Sequence, residues 1–131
     1  MIVVDSSVVV SIFKNEDDAS ELAMRILGTE RRLMSAANWF EAAMVCEGKK
    51  TGDRQSAIFD RLIGKLQIEV VPITTAQAVV ARDAFKRFGK GRRTKAQLNY
   101  GDCFAYALAK SLDAPLLFKG KDFAETGVKR A

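Results

Sequence analysis

The chain has 131 residues, of which 48% are hydrophobic and 28% charged, as is typical of one globular domain with its own core. Its 21 lysines and arginines exceed its 16 aspartates and glutamates, and the formal charge of +5 favours an anionic partner, either nucleic acid or an acidic protein. The sequence contains no histidine, which excludes serine–histidine–aspartate hydrolysis, histidine-based zinc sites and two-histidine ribonuclease chemistry.

Short apolar strands alternate with helices, and hairpin turns are missing. The predicted elements, in chain order, are a strand at 1–5, helices at 6–14 and 16–29, a strand at 33–35, helices at 36–48 and 53–65, a strand at 68–73, a helix from 74 or 75 to 89, a loop at 90–98, a helix at 99–112, a strand at 114–118 and a turn at 119–123. Ser6 and Ser7 offer hydroxyls that could cap the first helix. The alternation predicts an α/β fold with a mostly parallel sheet between helices, and we expect one domain over residues 1–131.

Nothing in the sequence predicts export or membrane insertion. The apolar run after Met1 is interrupted at Asp5 and has neither a basic segment before it nor a cleavage site after it. No uncharged apolar stretch approaches the ~18–20 residues of a membrane helix. We therefore expect a cytoplasmic protein, in which Cys46 and Cys103 are buried thiols and not a disulfide.

Acidic residues follow three of the predicted strands. Asp5 ends the first strand, Glu41 lies about two helical turns after the second, and Asp122 lies just after the last. A fourth acid, Asp102, is near the start of the last helix. Because binding sites in parallel sheets form beyond the carboxyl ends of the strands, these four acids can be placed at one edge of the sheet.

Each acid also has a simpler interpretation. Asp5 could cap a helix, Asp102 could complete a capping box with Asn99, and Asp122 could be a turn residue. Glu41 could be a solvated helix residue, although its neighbours are partly apolar. As a set, however, clustered carboxylates would repel one another, and a hard cation such as Mg²⁺ relieves that repulsion. One or two such ions can activate water and stabilise the leaving oxygen of a phosphodiester without histidine.

Three segments carry a family resemblance: MIVVDSS at the start, LNYGDCFAYALAK at 98–110 and GKDF at 120–123. With Glu41 between them, they resemble PIN-domain nucleases, and in length and spacing the VapC-type toxins of bacterial type II toxin–antitoxin systems. The resemblance spans the whole chain and implies a three-layer α/β fold and a Mg²⁺- or Mn²⁺-dependent endoribonuclease. By motif match, the catalytic and metal-binding acids would be Asp5, Glu41, Asp102 and Asp122.

The resemblance also implies a supporting hydroxyl and protein partners. Ser7 would order Asp5 or a water on the metal. Lys121 stands where the family turn usually has asparagine, and it could contact phosphate instead. The family implies a homodimer and a VapB-type antitoxin that blocks the site within a larger hetero-oligomer. The apolar faces of residues 16–29 and 36–48 are candidate docking surfaces, or else they pack in the core.

A basic segment, KRFGKGRRTK at 86–95, precedes the helix that carries Asp102. It is either a solvated loop or an arm that contacts RNA phosphates, and the candidates for such contacts are Lys90, Arg92 and Arg93. Phe88 and Tyr100 could stack on unpaired bases or could be structural, whereas Tyr106 is expected in the core.

Other functions remain open from the sequence. A housekeeping PIN-domain nuclease that processes RNA is the nearest alternative, and a PIN-like module that binds RNA or protein without cutting it is the next. A Mg²⁺-dependent phosphatase acting through Asp5 is disfavoured, because such an enzyme would normally have a second acid where Ser7 stands.

Overall fold

The structure, a computed structural model, describes residues 1–48 and 53–131. The strands are β1 (Ile2–Val4), β2 (Arg32–Ser35), β3 (Glu69–Val71) and β4 (Leu116–Leu117). The helices are α1 (Ser6–Phe13), α2 (Ala19–Leu27), α3 (Ala36–Glu47), α4 (Asp53–Lys65), α5 (Thr75–Phe88) and α6 (Tyr100–Leu112). Each predicted strand and helix is therefore present, within a few residues at its ends.

The four strands form one parallel sheet in the order β3-β2-β1-β4, with β1 pairing to both β2 and β4. Val3 faces a core built with α5 and α6, whereas Ile2 and Val4 face the core that α1 to α4 cover. This alternation follows from the two-residue period of a strand. The predicted α/β fold with helices on both faces is confirmed.

Two helix starts differ from the sequence prediction. The cap of α1 is neither Ser6 nor Ser7. It is Asp5, as the simpler interpretation of that acid predicted, and its side chain accepts a hydrogen bond from the Ser7 backbone N–H. Helix α2 begins at Ala19 and not at residue 16. Its preceding acids Glu16 and Asp18 are bound instead by the Lys119 ammonium group, at 3.3 and 3.0 Å. Both acids therefore lie before the helix and pair with a lysine that is distant in sequence.

The remaining structural expectations concern membrane segments, cysteines and aromatic residues. Among the residues that the structure describes, no helix combines the length and apolar character needed to cross a membrane. Cys46 and Cys103 are both buried and free, as predicted. Tyr106 is buried as predicted, and the partly buried Phe88 packs beside it with ring centroids 6.0 Å apart.

Candidate active site

Asp5 is the most deeply buried acid of the predicted set. It follows β1 and is only 2% exposed, and its Oδ2 accepts hydrogen bonds from the Ser7 backbone N–H (3.1 Å) and hydroxyl (2.5 Å). Burial raises the pKa of Asp5 from 3.8 to about 6, and the nearby charge of Glu41 adds to the rise, while the Ser7 bonds oppose it. Its other oxygen, Oδ1, is buried and has no hydrogen-bond partner among the described residues. Asp5 therefore has an acceptor oxygen that meets no donor in the part of the chain that the structure describes.

Ser7 links Asp5 to the carboxyl end of β4. Its hydroxyl donates to Asp5 and accepts a hydrogen bond from the Lys119 backbone N–H at 3.1 Å. The Lys119 ammonium group points elsewhere, to Ser11 (2.9 Å) and to the acids before α2. Lys119 therefore contributes only its backbone N–H to the surroundings of Asp5. Its positive charge is paired with Glu16 and Asp18 and does not neutralise Asp5.

Asp102 both caps helix α6 and lies in the cluster of acids. It is the third residue of α6 and completes a capping box, in which Asn99 Oδ1 accepts from the Asp102 N–H (2.8 Å) and Asp102 Oδ2 accepts from the Asn99 N–H (3.0 Å). The capping interpretation is thus confirmed. Burial, together with the charges of Asp5 and Asp122, raises the pKa of Asp102 from 3.8 to about 7, while the hydrogen bond from the Asn99 N–H opposes the rise. Capping and membership of the acidic cluster are compatible, because only one carboxylate oxygen serves the cap.

Glu41 reaches the cluster from α3. Its half-buried side chain accepts a hydrogen bond from the Ser6 hydroxyl and lies against Gly101 in the first turn of α6. Asn38, one turn earlier on α3, is fully buried and donates from Nδ2 to the Gly101 carbonyl oxygen at 2.8 Å. Glu41 is therefore held next to the residue that precedes Asp102, and it is not a freely solvated helix glutamate.

Asp122 lies in the turn that follows β4. Its side chain is exposed, but its carbonyl oxygen accepts a hydrogen bond from the Gln97 N–H at 3.0 Å, which ties this turn to the loop before α6. Phe118 and Phe123 close the turn with ring centroids 4.8 Å apart. Gly120, at φ +90°, supplies the left-handed backbone that the turn requires. The turn thereby brings the Asp122 carboxylate close enough to Asp102 for its charge to raise the pKa of Asp102.

The four predicted acids thus form one electrostatically coupled group at the carboxyl edge of the sheet. Within the described residues, none of them is part of an ion pair. No three acidic or cysteine side chains in residues 1–48 and 53–131 make a ready-built cage for a metal ion. Mg²⁺ does not need such a cage, because it binds through one or two carboxylates and keeps several waters. The all-oxygen donors, their mutual repulsion and the unpartnered Asp5 Oδ1 fit a hard divalent cation.

The predicted RNA-contacting residues lie on the surface. Lys90, Arg92 and Arg93 are exposed in the loop between α5 and α6, whose two ends are joined by a hydrogen bond from the Lys90 N–H to the Leu98 carbonyl oxygen (2.8 Å). Lys121 is exposed in the same turn as Asp122. The end of this loop at Gln97 is bonded to the Asp122 backbone, and Arg92 lies over the Phe85 ring of α5, with its guanidinium carbon 5.7 Å from the ring centroid.

Tyr100 is 80% exposed at the start of α6, and its ring meets Phe104 edge-on at 5.0 Å. It lines an apolar groove of about 450 Å³ that also contains Glu41, Gly101 and Phe40. An aromatic face is thus available to a ligand beside the acids, as the stacking interpretation of Tyr100 requires.

Three residues that organise this site were not predicted from the sequence to belong to it: Ser6, Asn38 and Gly101. An asparagine three residues before Glu41, on an otherwise apolar helix, was a signal for Asn38. A glycine in the first turn of a helix, where alanine would be more favourable, was a signal for Gly101. The bond from Ser6 to Glu41 joins residues 35 positions apart and had no local signal.

The sequence matches the PIN domain family model over residues 2–129. The chain is 40% identical to ribonuclease VapC28 of Mycobacterium tuberculosis over 129 residues, which are 98% of this chain and 96% of that protein. Its fold is similar to that of VapC20 of Mycobacterium tuberculosis, a sarcin–ricin-loop-cleaving toxin, with a TM-score of 0.74, 12% identity and 100% and 98% of the two chains covered. It is also similar to a toxin–antitoxin complex from Klebsiella pneumoniae, with a TM-score of 0.71, 16% identity and 97% and 93% coverage. The chain therefore belongs to the PIN-domain family and, within it, to the VapC ribonucleases.

Proposed function

We propose that this protein is an endoribonuclease of the VapC type, the toxin of a VapBC-type toxin–antitoxin module, and that it hydrolyses RNA phosphodiester bonds at a four-carboxylate metal site. The observation that carries the proposal is the convergence of Asp5, Glu41, Asp102 and Asp122 at one edge of the sheet, without a cation from the described residues to neutralise them. The relatives that are named ribonucleases support the same activity. Because such a toxin must meet cellular RNA, the proposal includes a cytoplasmic location. It also includes a single PIN domain over residues 1–131.

The four acids would hold one or two Mg²⁺ or Mn²⁺ ions, with Asp5 Oδ1 as a free acceptor toward the ion. A divalent ion bound there supplies an acidified, positioned water and charge neutralisation for in-line attack at phosphorus, leaving a 5′-phosphate and a 3′-hydroxyl. Ser7 fixes the orientation of Asp5 by binding its other oxygen, and the capping box fixes Asp102 on α6. The exposed loop of Lys90, Arg92 and Arg93, together with Lys121, would bind phosphates on either side of the cut.

Purified protein incubated with RNA tests this activity. We expect cleavage with Mg²⁺ or Mn²⁺, none with EDTA, and a loss of at least 100-fold in kcat for Asp5→Asn and for Asp102→Asn. Cleavage that persists in EDTA, or that these variants retain, would exclude the carboxylate–metal mechanism. RNA binding without any metal-dependent turnover would instead favour a non-catalytic binding module. Growth arrest on expression, relieved by the product of a neighbouring gene, distinguishes a toxin from a housekeeping nuclease.

The partner proposed for the apolar surface is a VapB-type antitoxin. Helix α2 exposes Met24 and Leu27, and α3 exposes Phe40, Met44 and Val45, while the opposite sides of both helices pack into the core. Each of the two candidate docking segments, residues 16–29 and 36–48, therefore has one apolar side in the core and other apolar side chains exposed. Exposed apolar side chains on α2 and α3, both of which pack against α1, suit an amphipathic antitoxin helix, and the groove at Phe40 and Met44 runs up to Glu41. Bound there, an antitoxin would cover the acidic site.

A homodimer, and a larger complex with the antitoxin, are also proposed. Light scattering of the toxin alone and with its antitoxin tests both. We expect a mass of two chains for the toxin and a larger complex on mixing. Met44→Asp, which places a charge on the exposed face of α3 without entering the core, is expected to weaken antitoxin binding. A single-chain mass at micromolar concentration would contradict the dimer.

A further inference from the structure

Gly101 is in contact with the carboxylate of Glu41. A Cβ atom built on Gly101 would lie 2.5 Å from Glu41 Cδ and 2.5 Å from Oε1, and still closer to Oε2. Real Cβ atoms essentially never approach other heavy atoms closer than 3.0 Å. Any side chain at position 101 would therefore displace the Glu41 carboxylate.

The backbone of Gly101 does not require glycine. It lies in the first turn of α6 and is absent from the residues with positive φ. A glycine within a helix costs about 1 kcal/mol relative to alanine. The backbone conformation therefore does not explain why residue 101 is glycine. What the missing side chain provides is the space that the Glu41 carboxylate occupies.

Asn38 fixes the same contact from α3. It is fully buried, and its Nδ2 donates to the Gly101 carbonyl oxygen at 2.8 Å, so it clamps the first turn of α6 against α3. Asn38 and Glu41 are three residues apart and lie on one face of the helix. The clamp and the missing side chain together determine how closely the Glu41 carboxylate approaches Asp102, the residue after Gly101.

We propose that Gly101 is a positioning residue for Glu41, and that with Asn38 it sets the distance between the Glu41 and Asp102 carboxylates and thereby the affinity of this edge for a divalent cation. This inference rests on the metal site of the proposed function. It assigns no contact of Gly101 with substrate or metal, because its effect is transmitted through Glu41.

The experiment compares Gly101→Ala with Gly64→Ala. Gly64 is an exposed glycine within α4 where an added Cβ would meet nothing within 4 Å, so it is a matched control for the same change in a helix. Each variant is examined for unfolding by urea without metal, for Mn²⁺ binding by isothermal titration calorimetry, and for RNA cleavage. We expect both variants to be at least as stable as the wild type without metal. Only Gly101→Ala should bind Mn²⁺ at least tenfold more weakly and cleave RNA more slowly.

The double variant Glu41→Ala/Gly101→Ala isolates the contact. With the carboxylate removed, Gly101→Ala should have no further effect on Mn²⁺ affinity, so the two changes should be strongly non-additive. The same tenfold loss in the Glu41→Ala background would overturn the proposal. If Gly101→Ala alone fails to fold, folding of the double variant supports the steric contact, and failure of both overturns it. Wild-type protein that binds no Mn²⁺ would instead contradict the proposed metal site, whereas normal binding by Gly101→Ala would contradict only the positioning role.

Discussion

Protonation of the buried acids should make the metal-free protein more stable in mild acid than in mild base. The pKa of Asp5 is about 6 in the folded protein and 3.8 as its ordinary value. Between these pH values the folded chain keeps a proton that the unfolded chain has lost, so stability falls as pH rises through this window. One pKa unit corresponds to about 1.4 kcal/mol, so the raised pKa of Asp5 costs about 3 kcal/mol of stability at pH 8. About 0.5 kcal/mol of this cost is already present at pH 4, and the fall in stability from pH 4 to pH 8 is therefore about 2.5 kcal/mol.

Thermal unfolding in EDTA at a series of pH values measures this cost. For a chain of this size, 1 kcal/mol shifts the melting temperature by roughly 3–5 °C, so Asp5 should account for a fall of about 10 °C between pH 4 and pH 8. Asp102, with a pKa of about 7, adds a fall that extends to higher pH. Mg²⁺ should restore stability at pH 8 and do little at pH 5, where it competes with protons for the same oxygens.

Asp5→Asn identifies the residue responsible. Asparagine is nearly the same shape and can still accept the two Ser7 hydrogen bonds, but it carries no charge. We expect this variant to be more stable than the wild type at pH 8 in EDTA, with a flatter pH dependence and no cleavage activity. Asp60→Asn, at an exposed position of α4, is the control and should follow the wild type. Equal pH slopes for the wild type and Asp5→Asn would refute the reasoning.

Three further predictions concern the supporting residues. Ser7→Ala removes the hydroxyl that is bonded to Asp5 and to the Lys119 N–H after β4. It should lower the free energy of unfolding by about 1–2 kcal/mol in urea titrations and reduce kcat, and an unchanged kcat would contradict the orienting role. Tyr100→Ala should change the melting temperature by no more than a few degrees but weaken single-stranded RNA binding by about 1–3 kcal/mol in fluorescence titrations. Unchanged RNA affinity would show that no base stacks on this ring. Changing Lys90, Arg92 and Arg93 together to glutamine should raise KM and leave kcat unchanged. It should also reduce the slope of log affinity against log salt concentration by about 2, since each phosphate contact contributes about 0.7, and an unaltered slope would exclude the loop from the RNA path.

Local patterns were sufficient to predict the elements and the edge at which the acids meet. Strand and helix periods are visible within short windows, and a parallel sheet places the carboxyl ends of its strands together whatever the details of packing. Asp5, Glu41 and Asp122 could therefore be assigned to one region before any contact was known. Asn99 and Asp102 are three residues apart, so their capping box was also visible in the sequence.

The contacts that refine the site could not be predicted in this way, because they join distant parts of the chain. The Asn38 bond to Gly101 spans 63 residues, and the bond from Lys119 to Asp18 spans 101. The second of these is one of the contacts that pair the acids before α2 with a distant lysine, which no local pattern of residues 16–29 indicates. Such pairings depend on how helices pack across the sheet, which the residue pattern of one segment does not contain.

The position of β1 between β2 and β4 has a consequence for synthesis of the protein. Asp5 precedes Asp122 in the chain, and Asp122 joins it only after β4 has docked beside β1. A chain that emerges from the ribosome in sequence order thus carries three of the four acids before it can complete the site. The proposed site is therefore complete only after β4 has docked beside β1, and we expect a chain truncated before β4 to lack cleavage activity.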